Sequence, residues 1–205
     1  YDDAVNSGPG VDHLEEFWAQ PVLPLDLDGI GVMQAYVLDL NRCLNLNWLA
    51  TDTDKSQYKR LQRLLMHLQL SPDLADLIRD WVDSDQQVSG LGAEDSAYQL
   101  KTPAHFAANQ PMLDLSELNM LIDVNPQEIQ VLSKEVCVVP DTGSKINVNT
   151  ASAKTLYSLD AAVSIQNAEA IAQSVRNYQT VTEFVQNHPE FTVVQQQLAV
   201  RSHYF

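Results

Sequence analysis

The chain has 205 residues, which is enough for one sizeable hydrophobic core or two small ones. Its hydrophobic content of 45% and charged content of 19% are typical of a folded globular protein and exclude a disordered chain. With 27 acidic and 12 basic residues, the formal net charge of −15 argues against binding to nucleic acids or anionic membranes, because both depend on lysine and arginine.

No apolar run in the sequence reaches the roughly 18 residues of a membrane-spanning helix. The chain opens on Tyr1 rather than methionine and shows no signal peptide. We therefore expect an upstream targeting or anchoring segment that this chain lacks.

The first fifty residues predict one short helix followed by strands. Leu14, Phe17 and Trp18 would share one face of an amphipathic helix over residues 11–20. Residues 29–40 carry β-branched and aromatic side chains without a helical period, which predicts a strand, and residues 43–46 predict a second one.

The pattern becomes helical after residue 51. Leu61, Leu64 and Leu65 form the apolar stripe of one predicted helix. Ser71 and Pro72 are suited to start the next helix, because Ser caps helices well and Pro is tolerated in the first turn.

The later part of the chain predicts two further helices and a terminal strand. Asp114 is placed to cap a helix over residues 115–122, and Asn125 with Pro126 to start another. Strands at both ends of the chain and helices between them predict an α+β fold. Its predicted parts are residues 1–50 with the first helix and strands, 51–190 as an inserted helical domain that contains an acidic loop, and 191–205 as one or two strands returning to the sheet.

Cys43 and Cys137 are the two cysteines of the sequence. They do not form a CxxC motif, and no histidine spacing suited to zinc accompanies them. They fit either one disulfide in an exported protein or two buried free thiols. A disulfide would close a loop of nearly a hundred residues, for which the chain-entropy model gives roughly 4–5 kcal/mol.

Carboxylates and glycines are concentrated in residues 80–98. Carboxylates on a flexible loop suit a hard cation such as calcium, which takes about six to eight oxygen ligands. The spacing is not that of an EF-hand, so the residues alone leave open a calcium site and a solvated acidic loop. The residues concerned are Asp80, Asp83, Asp85, Gly90, Gly92, Glu94 and Asp95.

The sequence Ile146-Asn147-Val148-Asn149-Thr150-Ala151 is similar to the opening of a helix–hairpin–helix unit. Asn149 or Thr150 would cap a helix that carries Leu156 inward. Nucleic-acid-binding units of this kind use hairpin glycines so that backbone N–H groups reach phosphates, but residues 160–164 contain no glycine. We interpret the unit as a packing element, with a helix–hairpin–helix nucleic-acid-binding module as the alternative function.

Catalysis is not favoured by the pattern of the acidic loop. Paired carboxylates can perform acid–base chemistry, but no positioned histidine, nucleophile motif or phosphate-binding loop accompanies them. We therefore predict a protein that is not an enzyme.

Five blocks of the sequence resemble the K-type minor pseudopilin family of the type II secretion system, also called general secretion pathway protein K. They occur in the family's order and span the chain from residue 40 to its end. The blocks are LNxxLNLN at 40–47, DWVDSD and GAEDxxY within 80–98, NQPM and SEL within 109–118, INVNTA at 146–151 and VRSxYF at 200–205.

The resemblance implies a pilin-like antiparallel sheet interrupted by a large inserted α-helical domain with helix–hairpin–helix-like units. It implies bound calcium, with Asp83, Asp85, Glu94 and Asp95 as ligands and backbone carbonyls near residues 88–90 completing the coordination. It also implies a position at the tip of a periplasmic pseudopilus, in complex with the I-type and J-type minor pseudopilins and without nucleic acid.

The chain departs from the family in three respects. The hydrophobic N-terminal helix that anchors family members in the inner membrane is absent, so we expect a soluble periplasmic part of a protein from a Gram-negative bacterium. The chain stops at Phe205, where family members usually continue. Cys43 stands where the family is not expected to carry cysteine, so the resemblance does not support a disulfide.

Overall fold

The computed structural model describes residues 10–205, in which helices are combined with short two-stranded sheets. Among these residues, no helix is both long and apolar enough to span a membrane. The α-helices are α1 (Ser56–His67), α2 (Leu74–Val82), α3 (Asp95–Tyr98), α4 (Pro126–Leu132), α5 (Ala153–Leu159), α6 (Ile165–Gln173) and α7 (Val181–Asn187). Short 3-10 helices cover Phe17–Ala19, Leu40–Arg42, Leu46–Thr51, Leu115–Met120 and Pro189–Gln197.

In the part of the chain that the structure describes, each strand is two residues long, and the strands pair as three separate two-stranded sheets. β1 (Leu25–Asp26) and β2 (Val32–Met33) are antiparallel and exposed. β3 (Leu44–Asn45) pairs with β4 (Val136–Cys137), and β5 (Ile146–Asn147) pairs with β6 (Leu198–Ala199), both in parallel.

The prediction of an antiparallel sheet is therefore wrong for the two buried pairs. In both pairs the chain leaves one strand, passes through several helices and returns in the same direction, which is the long connection that parallel strands require. The predicted strand over residues 29–40 is reduced to β2, and in the predicted strand region 191–205 only β6 is extended in a ladder.

Residues 11–20 do not form the predicted amphipathic helix. Only the 3-10 turn Phe17–Ala19 is present, and Phe17 is 91% exposed. The backbone N–H of Asp12 donates instead to the carbonyl of Val200 at 2.9 Å, which holds this segment beside the end of the chain. Tertiary pairing has thus replaced the local helical preference. Residues 1–9, which belong to the first predicted part of the chain, lie outside the described residues.

The start and end of the segment between β3 and β4 meet at one place, which we call the neck (residues 43–47 and 136–139). Cys43 and Cys137 form a disulfide there, with Cα atoms 5.6 Å apart. Asn45 is buried beside it, accepts a hydrogen bond from the N–H of Val139 at 3.1 Å and donates to the Val139 carbonyl at 3.2 Å. A covalent bond, a short ladder and a buried amide therefore fasten the neck together.

Helix α1 packs against α2 and α5 at the centre of the core. The predicted apolar stripe is confirmed, since Leu61, Leu64 and Leu65 are each at most 2% exposed. On its polar side, α1 satisfies carbonyl groups near the end of α5. The Nε atoms of Arg60 and Arg63 donate to the carbonyls of Leu159 and Tyr157 at 3.0 and 2.7 Å.

Local capping signals explain where several helices begin. The predicted start of α4 is confirmed, because Asn125 accepts a hydrogen bond from the N–H of Gln127 in a capping box completed by Glu128. The helix predicted after Asp114 is the 3-10 helix Leu115–Met120, with its own capping box.

The prediction that Asn149 or Thr150 caps α5 is wrong. Ser152 caps this helix by accepting from the N–H of Thr155 at 3.1 Å. Asn149 is used elsewhere, because its amide exchanges two hydrogen bonds with the backbone of Tyr178. Helices α5 and α6 contact each other directly, and residues 160–164 connect them. Their description as a helix–hairpin–helix unit stays a prediction, as does the division of the chain into three parts.

Candidate metal centre

The acidic loop begins where α2 ends. Leu74, Ile78 and Trp81 turn into the core, and the indole N–H of Trp81 donates to the Glu117 carboxylate at 3.0 Å. The helix ends at Val82, so the next residue, Asp83, adopts an extended conformation as the C-cap. A packed helix thus fixes the point from which the carboxylates project.

Three carboxylates converge across this loop. One ligand oxygen from each of Asp83, Asp85 and Glu94 lies within 4.8 Å of the others. Asp83 and Asp85 come from the end of α2, and Glu94 is the residue that precedes α3. The loop therefore brings together side chains from two helix ends, in an arrangement that a hard cation with oxygen ligands can bridge.

The buried oxygens of this cluster lack hydrogen-bond donors. Glu94 is 2% exposed, and within residues 10–205 neither of its carboxylate oxygens has a hydrogen-bond partner. The buried Oδ1 of Asp83 also has none within these residues. A buried carboxylate without a partner is costly, so a cation bound among these oxygens would offset that cost.

The same crowding shifts the proton affinities of the cluster. Burial, followed by the carboxylates of Asp80 and Asp83, raises the pKa of Glu94 to about 7. Burial and the Asp85 carboxylate also raise the pKa of Asp83. Both causes penalise the charged form, and the charge of a bound cation would oppose them.

Asp95, the fourth predicted ligand, lies outside the three-carboxylate cluster. Its Oδ1 accepts a hydrogen bond from the N–H of Ala107 at 2.9 Å and a longer one from the side-chain amide of Asn109 at 3.5 Å. Asp95 therefore fastens the segment around residue 107 to the start of α3. Its role as a ligand stays a prediction.

Sequence reasoning missed Asp76, which is buried one turn before Asp80 on α2. The i, i+4 spacing of Asp76 and Asp80 places both on one face of α2, and Asp83 follows directly after the end of the helix. That regular spacing was the available signal. Asp80, which the sequence analysis included in the acidic loop, lies inside the helix and is fully buried.

The chain matches the family model for type II secretion system protein K over residues 42–141. It is 35% identical over 161 residues to the type II secretion system protein K of Pseudomonas aeruginosa, a match that covers 75% of this chain and 48% of that protein. It is 34% identical over 158 residues to the protein K of Klebsiella pneumoniae, covering 72% of this chain and 48% of that protein.

A solved structure shows the same likeness in three dimensions. A chain in the crystal structure of the GspK-GspI-GspJ complex from enterotoxigenic Escherichia coli matches with a TM-score of 0.79 and 26% identity, over 96% of this chain and 75% of that chain. The fold and the sequence likenesses together define a component of a type II secretion system. Within that class, the chain belongs to the protein K family. It spans about half the length of the curated relatives it matches.

Proposed function

We propose that this chain is part of a minor pseudopilin that acts without catalysis at the tip of the type II secretion pseudopilus, in support of protein export. The observation that carries the proposal is the fold likeness, over 96% of the chain, to a chain in the GspK-GspI-GspJ complex. A pilin-like sheet interrupted by the helical region belongs to the same proposal. The likeness supports no nucleic-acid-binding role, which was the alternative.

The partners in this proposal are an I-type and a J-type minor pseudopilin, as in the complex that the similar structure describes. Co-purification of tagged chain with the I-type and J-type proteins of the same bacterium tests it, with a major pseudopilin as the control bait. A stable ternary complex is the expected result. No association, with all three proteins folded, contradicts the proposal.

The proposed location is the periplasm, with the full protein held in the inner membrane by an N-terminal hydrophobic helix. The high acidity of the chain supports a role away from anionic lipid surfaces, because those surfaces attract basic segments. Fractionation of cells that express the full-length protein tests this location, and recovery in the cytosolic fraction contradicts it.

The proposal also includes structural calcium at the three-carboxylate cluster. Asp83, Asp85 and Glu94 fit the ion, because their carboxylates converge and, among the described residues, three buried oxygens of Asp83 and Glu94 have no donor. These side chains would hold the ion, with backbone carbonyls or water completing its coordination. Bound calcium would neutralise the repulsion and fix the connection between α2 and α3.

Thermal unfolding with calcium and with chelator tests the calcium site. A ligand bound by the folded state alone raises the apparent stability by mass action, so calcium should raise the melting temperature of the wild-type protein. Glu94→Gln should lose most of that increase, because Gln keeps the shape but not the charge. The matched control is Glu169→Gln, since Glu169 is exposed on α6. Identical melting curves of the wild type with calcium and with chelator would contradict the calcium proposal.

A further inference from the structure

Two buried carboxylates outside the three-carboxylate cluster hold the loop that connects its members. Both oxygens of Asp80 accept the backbone N–H of Ser89, each at 3.1 Å. Oδ2 of Asp76 accepts the backbone N–H of Leu91 at 2.9 Å. Because the two acids are one turn apart on α2, they form a short row of acceptors along which the loop backbone lies.

The loop lies so close to these carboxylates that two of its positions have no room for a side chain. A Cβ atom on Gly90 would overlap the Asp76 carboxylate, and Gly90 has a φ of +48°, which other residues rarely adopt. A Cβ atom on Gly92 would overlap the Asp80 carboxylate. The glycines therefore allow the close approach that the hydrogen bonds require.

This held stretch separates the two sides of the three-carboxylate cluster. Asp85 precedes it and Glu94 follows it, so the path of residues 89–92 sets the distance between those two side chains. We propose that Asp76 and Asp80 are positioning residues of the calcium site described above. By holding the loop on α2, they bring the cluster into a geometry ready for the ion and thereby set its affinity. The inference rests on the proposed calcium site.

The hydroxyl of Tyr58 connects this arrangement to α1. It donates to Oδ1 of Asp76 at 2.6 Å and accepts from the side-chain amide of Gln62 at 2.9 Å. Burial and the Asp76 carboxylate raise the pKa of Tyr58 to about 12, so the hydroxyl remains a donor at neutral pH. One oxygen of Asp76 thus accepts a hydrogen bond from α1 and the other accepts one from the loop. The affinity for the ion would therefore depend on the packing of α1 against α2.

Calcium titration calorimetry on three variants of the whole chain, with two control variants, tests the inference. Asp76→Asn and Gly92→Ala should each weaken calcium binding about tenfold or more, and Tyr58→Phe by about threefold to tenfold, as for other groups that orient metal ligands. The control for the tyrosine is Tyr36→Phe, since Tyr36 is 81% exposed. The expected result for this control is affinity within twofold of the wild type.

The two variants without a change in charge separate positioning from simple electrostatics. If Asp76→Asn weakens binding while Tyr58→Phe and Gly92→Ala do not, the carboxylate acts through its charge alone and the inference is overturned. The control for the glycine is Gly31→Ala, because a Cβ at Gly31 meets nothing within 4 Å. If Gly92→Ala fails to fold, Tyr58→Phe decides.

Hydrogen exchange in chelator distinguishes failure of the inference from failure of the calcium site. The amides of Ser89 and Leu91 should exchange slowly in the metal-free wild type, and that of Leu91 faster in Asp76→Asn. Unprotected amides overturn the positioning role whether or not calcium binds. Protected amides in a protein that binds no calcium overturn the calcium site and leave the loop attachment standing.

Discussion

Glu94 is the residue at which burial and neighbouring negative charge act together on one carboxylate. It is buried, neither of its oxygens meets a donor among the described residues, and four neighbouring acids raise its pKa. Its ionised carboxylate therefore destabilises the metal-free folded protein, and a bound cation would reduce that destabilisation. The sequence alone indicates the charge of this residue but not its burial, because burial follows from the packing of α2 and α3.

The raised pKa of Glu94 predicts the pH dependence of metal-free stability. The folded pKa of about 7 lies above the ordinary value of 4.5, so the folded protein holds more protons between these values. The free energy of unfolding in chelator should therefore fall as pH rises from about 4.5 to about 7, by roughly 1–3 kcal/mol.

Urea unfolding in chelator at pH 5 and pH 7.5 measures this change. Glu94→Gln should lose that part of the decrease and should be more stable than the wild type at pH 7.5. An equal pH dependence in the two proteins would show that another group is responsible. Glu169→Gln controls for loss of one exposed acid.

At the scale of elements, local signals predicted helix starts better than they predicted pairing. The capping residue Asn125 and the apolar stripe of α1 act within one or two helical turns, and both predictions are confirmed. The partners of β3 and β5 lie far along the chain, at β4 and β6. Two-residue strands carry no alternation to detect, so their register could not be predicted.

The candidate site, like the secondary structure, was predictable only in part. The family resemblance implied Asp83, Asp85, Glu94 and Asp95 as ligands, and the structure places the first three in one cluster. The direction of the Asp95 side chain was not predictable, because it depends on a backbone N–H at Ala107 that arrives through an irregular segment.

Arg63 provides a test of how α1 holds α5. Its guanidinium lies 3.9 Å from the centre of the Tyr157 ring, and it donates at 2.7 Å to the carbonyls of Tyr157 and Val163. Arg63→Ala would leave these carbonyls without their donor, so we expect about 2–3 kcal/mol of lost stability.

Urea unfolding at saturating calcium measures the effect of Arg63→Ala. The matched control is Lys59→Ala, which removes a positive charge from an exposed position of the same helix and should cost under about 0.5 kcal/mol. Equal losses in both variants would attribute the effect to charge rather than to the contacts with α5.

At the scale of the whole molecule, the disulfide at the neck should be a main source of stability. Cys43 and Cys137 are 94 residues apart in sequence, and the chain-entropy model assigns about 4–5 kcal/mol to a loop of that size. Cys43→Ser combined with Cys137→Ser should lower the free energy of unfolding by an amount of this order.

Reduction of the wild-type protein should reproduce the loss, and reductant should not change the double variant. Unfolding curves with and without reductant measure both effects. Equal stability of oxidised wild type and double variant would show that the buried amides of the neck hold the segment without the covalent bond.

The neck also determines how the molecule would respond to being pulled. With Cys43 bonded to Cys137, the shortest covalent route between the two ends of the chain crosses the disulfide and bypasses the residues between them. Tension applied at the ends would act on the parallel ladder of β3 and β4 and on the disulfide. The polypeptide between Cys43 and Cys137 would carry almost none of that tension. A molecule built this way can bear force between its ends while its acidic loop carries no load.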